Sequence, residues 1–264
     1  MKYVLVTGAN GGMGKATIEK LVNSGYYVFA IDKDLPASGN NIMPMAVDIT
    51  SLSELEKAKE EIKKITNDLY AIIHFAGIYL LNSLVEIEEK EYEKIFRVNV
   101  FGPFLINKLF IDMMENGSRI IMTTSELALR SPLPFTGLYG ITKTTLDKYS
   151  YSLKMELQLL DIYVSVIRPG AVKTNMLNVS TTALDKFCES TKLYNISSKN
   201  FRNIVNSVEA KYIMPEKIAS KALGILESKT PKFSYNVNHN MFLKLLDLLP
   251  KKWRFRIIKK ILTK

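Results

Sequence analysis

The segment Thr7-Gly8-Ala9-Asn10-Gly11-Gly12-Met13-Gly14 limits what this chain can fold into more than any other. It follows an apolar run at residues 3–6. It precedes a helical pattern that opens at Lys15 and puts Ala16, Ile18, Leu21 and Val22 on one face. Without a Cβ, glycine lets the backbone turn tightly and approach a phosphate closely. The helix that follows points free N–H groups and a positive dipole end at the same place. A strand, a glycine loop and a helix in that order fit a dinucleotide pyrophosphate, held by Gly8, Asn10, Gly11, Gly12, Met13 and Gly14.

The rest of the chain repeats that rhythm. Asn23-Ser24-Gly25 stops the first helix, and apolar runs at 26–31, 44–47, 69–75, 119–124 and 163–167 predict further strands. Between them the spacing predicts helices over 51–65, 86–109 and 139–160, the second kinked at Gly102-Pro103. The strands are continuous rather than alternating, as in a parallel sheet covered on both faces: a doubly wound α/β fold. No repeat or linker divides the chain, so residues 1–264 are expected to form one domain. Residues 175–214, rich in Ser, Thr, Asn and Lys, break the rhythm. They are either a lid over a substrate or a polar surface excursion.

Charge is unevenly placed. Seven of the ten net positive charges come from Lys251, Lys252, Arg254, Arg256, Lys259, Lys260 and Lys264. The body is nearly balanced, so no nucleic-acid-binding face is expected. Cys188 is the single cysteine, which excludes an internal disulfide and fits a reducing cytoplasm. The first residues carry no signal-peptide pattern, and no apolar run reaches the roughly 18 residues of a spanning helix. His239 has no partner in sequence that would suggest a metal site.

Three further residues carry chemistry. Tyr139 and Lys143 lie four apart on a predicted helix and so share a face. A phenol is a poor base at neutral pH, and a nearby ammonium is expected to lower its pKa so that it can exchange a proton with an alcohol or carbonyl oxygen. Ser125, just past a strand end, can orient that oxygen. Asp32, at the end of the second strand, can accept hydrogen bonds from both adenosine ribose hydroxyls. It would repel a 2′-phosphate, which favours NAD over NADP, although Lys33 could turn toward the cofactor.

With these residues in place, the chain resembles the short-chain dehydrogenase/reductase family over about residues 1–175. Thr7-Gly8-x-x-x-Gly12-x-Gly14 is similar to its cofactor loop. Asp48, with Ile49 beside it, matches the acidic residue that contacts adenine. Asn99 matches the helix asparagine that supports a proton relay to the catalytic lysine, completing a tetrad with Ser125, Tyr139 and Lys143. Pro169-Gly170-x-Val172-x-Thr174 matches the segment that holds the nicotinamide amide and phosphates. His74-Phe75-Ala76-Gly77 stands where the family commonly has Asn-Asn-Ala-Gly: Ala76 and Gly77 are retained and the asparagines that tie adjacent strands are not. His74 is either a packed, hydrogen-bonded histidine or a catalytic accessory.

The resemblance implies a Rossmann-like fold and reversible NAD-linked oxidation of a secondary alcohol to a ketone by a homodimer or homotetramer. Leu127, Leu129 and Phe135, between Ser125 and Tyr139, suit an apolar, steroid-like substrate or ordinary packing. A non-catalytic NAD(P) sensor and a 3-oxoacyl-thioester reductase are the alternatives. Residues 241–264 form an amphipathic extension in which Trp253, Ile257 and Ile261 fall on one stripe, with Ile258 and Leu262 beside it. That stripe suits a helix on an anionic membrane, on a partner subunit or on its own domain.

Overall fold

The computed structural model describes residues 1–207 and 211–263, with all their side chains except those of 177–181, 207 and 242. Residues 208–210 of the expected lid, and Lys264 of the basic tail, lie outside the described residues.

The chain runs β1 (Lys2–Thr7), α1 (Gly12–Asn23), β2 (Tyr26–Asp32), β3 (Ile42–Ala46), α2 (Leu52–Lys63), β4 (Ala71–His74), α3 (Glu89–Phe96) and α4 (Gly102–Phe110). It continues through β5 (Arg119–Thr123), α5 (Gly137–Leu157), β6 (Tyr163–Pro169), α6 (Asn175–Ser190) and α7 (Asn195–Ser207). It ends with α8 (Pro215–Glu227), β7 (Ser234–Val237), α9 (Met241–Leu248) and α10 (Lys251–Leu262). All seven strands are parallel, in the order β3-β2-β1-β4-β5-β6-β7. The order reverses between β1 and β4, and that switch point opens a crevice at the carboxyl ends of the strands.

Burial explains the continuous apolar strands. In β1, Leu5 packs with Leu55 and Ile62 of α2, Ile106 and Phe110 of α4 and Leu146 of α5. Its neighbours Val4 and Val6 point the other way, against Ile18 and Leu21 of α1 and Ile218, Ala222 and Ile225 of α8. Both faces are dry, so neither set of alternating positions can be polar. Pro44 sits in β3, an edge strand, where a missing N–H is tolerated.

Where a kink is expected at Gly102-Pro103, the structure has a change of helix type in the turn just before it. Arg97–Phe101 is a π-helical turn between α3 and α4, and the Gly102 N–H bonds back to the Arg97 carbonyl. The glycine serves packing instead, because a Cβ there would stand 2.6 Å from Ile49 Cδ1. The described residues of 175–214 are largely helical. Leu184, Phe187 and Phe201 of α6 and α7 are buried with Leu81, Phe135 and Leu262. The sequence reading assigns nothing to 215–240, where the structure has α8 and β7.

Candidate active site

The glycine loop is shaped by contact. Gly8 has φ +70°, and a Cβ on it would lie 2.5 Å from the Ala76 nitrogen, so only glycine fits where β1 meets the end of β4. The Gly11 N–H bonds to the Gly8 carbonyl at 3.0 Å. No side chain caps α1, and its first turn holds no acidic residue. Gly12, Met13 and Gly14 therefore present uncontested N–H groups and a positive dipole end to a cleft of about 880 Å³. This cradle suits a pyrophosphate.

The other walls agree with the expectation in part. Gly8, Gly11, Asp32, Asp48, Ile49, Ala76, Gly77 and Thr174 all line the cleft. Asn10, Tyr139, Lys143, Pro169 and Val172 do not. Asn10 instead ties the loop down, its N–H donating to Asp32 Oδ2 at 2.9 Å and its Nδ2 to the Asp34 carbonyl at 2.7 Å. Pro169 ends β6 in register with Val237. Val172 is buried and bridges Ile213.

Sequence reasoning missed the charged wall formed by α3 and the turn after it, where Glu91 and Glu93 alternate with cations. Lys90, Lys94 and Arg97 also line the cleft, together with Lys33. The i, i+4, i+7 spacing of the first three was a readable signal. Burial raises the Asp48 pKa, but hydrogen bonds from the Thr50 N–H and hydroxyl, with the charges of Lys33 and Lys94, hold it below its usual value.

The expected tetrad gathers behind the Gly77–Tyr79 segment of the cleft wall. Asn99, Ser125, Tyr139 and Lys143 are all buried. Asn99 lies in the π turn. Its Oδ1 accepts from the Ile78 N–H at 2.8 Å, and its Nδ2 donates to the Ile78 carbonyl at 2.9 Å and to Thr142 Oγ1 at 3.1 Å. Lys143 Nζ donates to the Thr123 carbonyl at 3.2 Å and stands 5.7 Å from the centre of the Tyr139 ring. A Cβ on Gly77 would stand 3.3 Å from Asn99 Oδ1 and 3.5 Å from Lys143 Nζ, so both groups pack directly behind Gly77 in the cleft wall.

One electrostatic expectation is overturned. The Tyr139 pKa is raised, not lowered. Burial is the main cause and Tyr79 adds to it, while the hydrogen bond with Ser125 works the other way. Burial also pushes Lys143 down to about 8. Two groups out of water each resist their charged form, and here that outweighs their attraction. Tyr79, which carries no motif, closes the site over Tyr139, with ring centroids 4.9 Å apart.

His74 is placed as a hydrogen-bonded core histidine, its Nε2 2.9 Å from Asn107 Oδ1. Burial lowers its pKa to about 4. Beyond Tyr79 a second cleft of about 930 Å³ runs between the segment after β4 and α6. Glu86 fixes its rim. One carboxylate oxygen accepts from Thr191 Oγ1 at 2.6 Å, and the other from the Lys192 and Leu193 N–H groups at 2.7 and 3.0 Å.

The fold and the crevice at its switch point are those of the doubly wound, nucleotide-binding class of α/β proteins. A family model described as short chain dehydrogenase matches residues 2–185, and the chain belongs to that family. It is 30% identical over 245 residues to the "Uncharacterized oxidoreductase YbbO" of Escherichia coli (strain K12), covering 89% of this chain and 85% of the relative. It is 29% identical over 187 residues to estradiol 17-beta-dehydrogenase 2 of Mus musculus, covering 66% of this chain and 49% of that protein. Among solved structures, 3-ketoacyl-(acyl-carrier-protein) reductase from Brucella melitensis, complexed with NADH, superposes with a TM-score of 0.72 at 20% identity. The match covers 89% of this chain and 96% of the other. The family uses NAD(P)(H), which the cleft accommodates in volume and polarity.

Proposed function

We propose that this protein catalyses reversible, NAD-linked interconversion of a secondary alcohol and a ketone, with a lipophilic substrate. The observation that carries this reading is Tyr139, buried behind Tyr79 in the wall of the dinucleotide cleft, with a hydrogen bond from Ser125 to its hydroxyl group and Lys143 beside its ring. The bound cofactor supplies the hydride donor or acceptor. Tyr139 gives a proton to the carbonyl oxygen in reduction and takes one from the hydroxyl in oxidation. Ser125 holds that oxygen in line. Lys143, with a pKa near 8, carries its charge at neutral pH and steadies a developing phenolate. Asn99 fixes the backbone at Ile78, beside both Tyr79 and the relay.

Asp32 faces the adenosine ribose, and Asp48 with Ile49 the adenine. Residues 175–214 act as a lid, clamped by Glu86. In the second cleft Leu80, Leu81, Ile87 and Phe187 offer apolar surface to a lipophilic substrate, beside a charged rim of Glu86, Glu88, Glu91, Lys186 and Glu189. A homo-oligomer is supported by Tyr151, Met155 and Leu159, exposed apolar residues spaced four apart along α5 and into the turn after it. The test is NADH consumption across a panel of aliphatic, aromatic and steroidal ketones. Turnover with none of them, despite measurable NADH binding, would overturn the reading in favour of a nucleotide sensor.

A further inference from the structure

The tail helix is docked on its own chain, but not by the expected stripe. It turns Arg254, Ile258 and Leu262 inward, at i, i+4 and i+8. Leu262 is buried in the cluster around Phe135, and its carbonyl accepts from Asn200 Nδ2 at 3.2 Å. Arg254 Nη1 meets Asp247 Oδ1 at 2.6 Å. An arginine takes an inward position because a carboxylate waits for it.

This docking leaves a defined outer face. On α10, Trp253, 62% exposed, lies opposite the docked stripe, while Phe255, 68%, and Ile261, 49%, flank that stripe on opposite sides. On α9, Met241, Leu245 and Leu248 are exposed at i, i+4 and i+7. Lys244, Lys251, Lys252, Arg256, Lys259 and Lys260 are exposed around them. Asp247 is the one carboxylate in 241–263, and Arg254 and Arg130 use it. Among the described residues, none of the six outward cations has a salt bridge.

We propose that this outer face is a docking surface for an anionic phospholipid bilayer. On the tail helix the indole of Trp253 shares the outward arc with the unpaired cations Lys252, Arg256, Lys259 and Lys260, exposed apolar side chains flank it, and residues 241–263 hold no free acid. That composition matches the headgroup–acyl boundary of an acidic leaflet. A second copy of the same face would set six cations against six, so a symmetric dimer is disfavoured here. The proposal goes beyond the reaction proposed above and does not depend on it.

Trp253 is the only tryptophan, so its emission reports this face without a label. The full-length protein is mixed with phosphatidylcholine vesicles with and without phosphatidylserine, including brominated acyl chains, at low and high salt. The expected result is a blue shift and bromine quenching with the anionic vesicles only, diminished by salt. The combined variant Lys252→Glu, Lys259→Glu, Lys260→Glu should weaken partitioning at least about tenfold while NADH binding is unchanged. Emission indifferent to both vesicle types would overturn the proposal, as would equal, salt-independent binding to both. A dimer in solution that Trp253→Ser dissociates, without vesicle binding, would assign the face to a second copy instead.

Discussion

Tyr79 lies against Tyr139 with ring centroids 4.9 Å apart and planes inclined at 55°. It is one cause of the raised phenol pKa, after burial. Removing the ring by Tyr79→Leu should lower the Tyr139 pKa. Alcohol oxidation needs the phenolate and ketone reduction the phenol, so the kcat/KM profile for oxidation should move toward lower pH. Wild-type reduction should need no alkaline activation. An unmoved oxidation profile in the variant would refute the role given to Tyr79.

Tyr139→Phe removes only the proton-carrying oxygen and leaves the ring packed. Turnover should fall on the order of 10²–10⁴-fold while NADH affinity stays within error. Single-turnover absorbance and cofactor fluorescence measure the two separately. Retention of more than a tenth of the activity would require another acid.

Asp32 should set cofactor choice. NAD(H) is expected to bind at least about tenfold tighter than NADP(H), a difference near 1.4 kcal/mol. Lys33, Lys94 and Arg97 in the same cleft oppose it. Dissociation constants for the four nucleotide forms decide which charge dominates. Asp32→Ala should narrow the gap, and should also loosen the loop, since Asn10 and Lys33 lose the acceptor of their N–H groups.

His74 makes stability depend on pH. Its folded pKa is about 4 against 6.5 in the unfolded chain, so below 6.5 the unfolded state binds a proton that the native state refuses. Its contribution is fully present above pH 6.5 and is lost as pH falls to about 4, roughly 3 kcal/mol across that window. Urea midpoints at pH 7.5 and 4.5 should show a smaller drop for His74→Asn than for the wild type. Equal drops would mean that this histidine is not the sensor.

How much was legible follows from the physics of each signal. The cofactor loop could be read because Gly8 must avoid Ala76 and the chain says so locally. Continuous apolar strands announced a parallel sheet because both faces are dry. Strand β7 could not be read: Ser234-Tyr235-Asn236-Val237 is short and polar at an edge. Helices α6 and α7 hid because their buried residues are spaced at helical intervals among Ser, Thr, Asn and Lys, not joined in runs. The tail face was misjudged because Arg254 owes its inward place to Asp247, a partner that periodicity cannot reveal. Tyr79 had no motif, and only packing exposes it.

Asp247 accepts from Arg254 on the tail helix and also from Arg130 Nη1 and the Ser131 N–H, on the loop that runs from Ser125 toward Tyr139. One carboxylate thus splices the end of the chain into the approach to its chemistry. A pull on the last helix reaches the loop through this joint and through Leu262, which is buried with Phe135 of the same loop, so whatever grips the outside of this protein holds a lever on its interior.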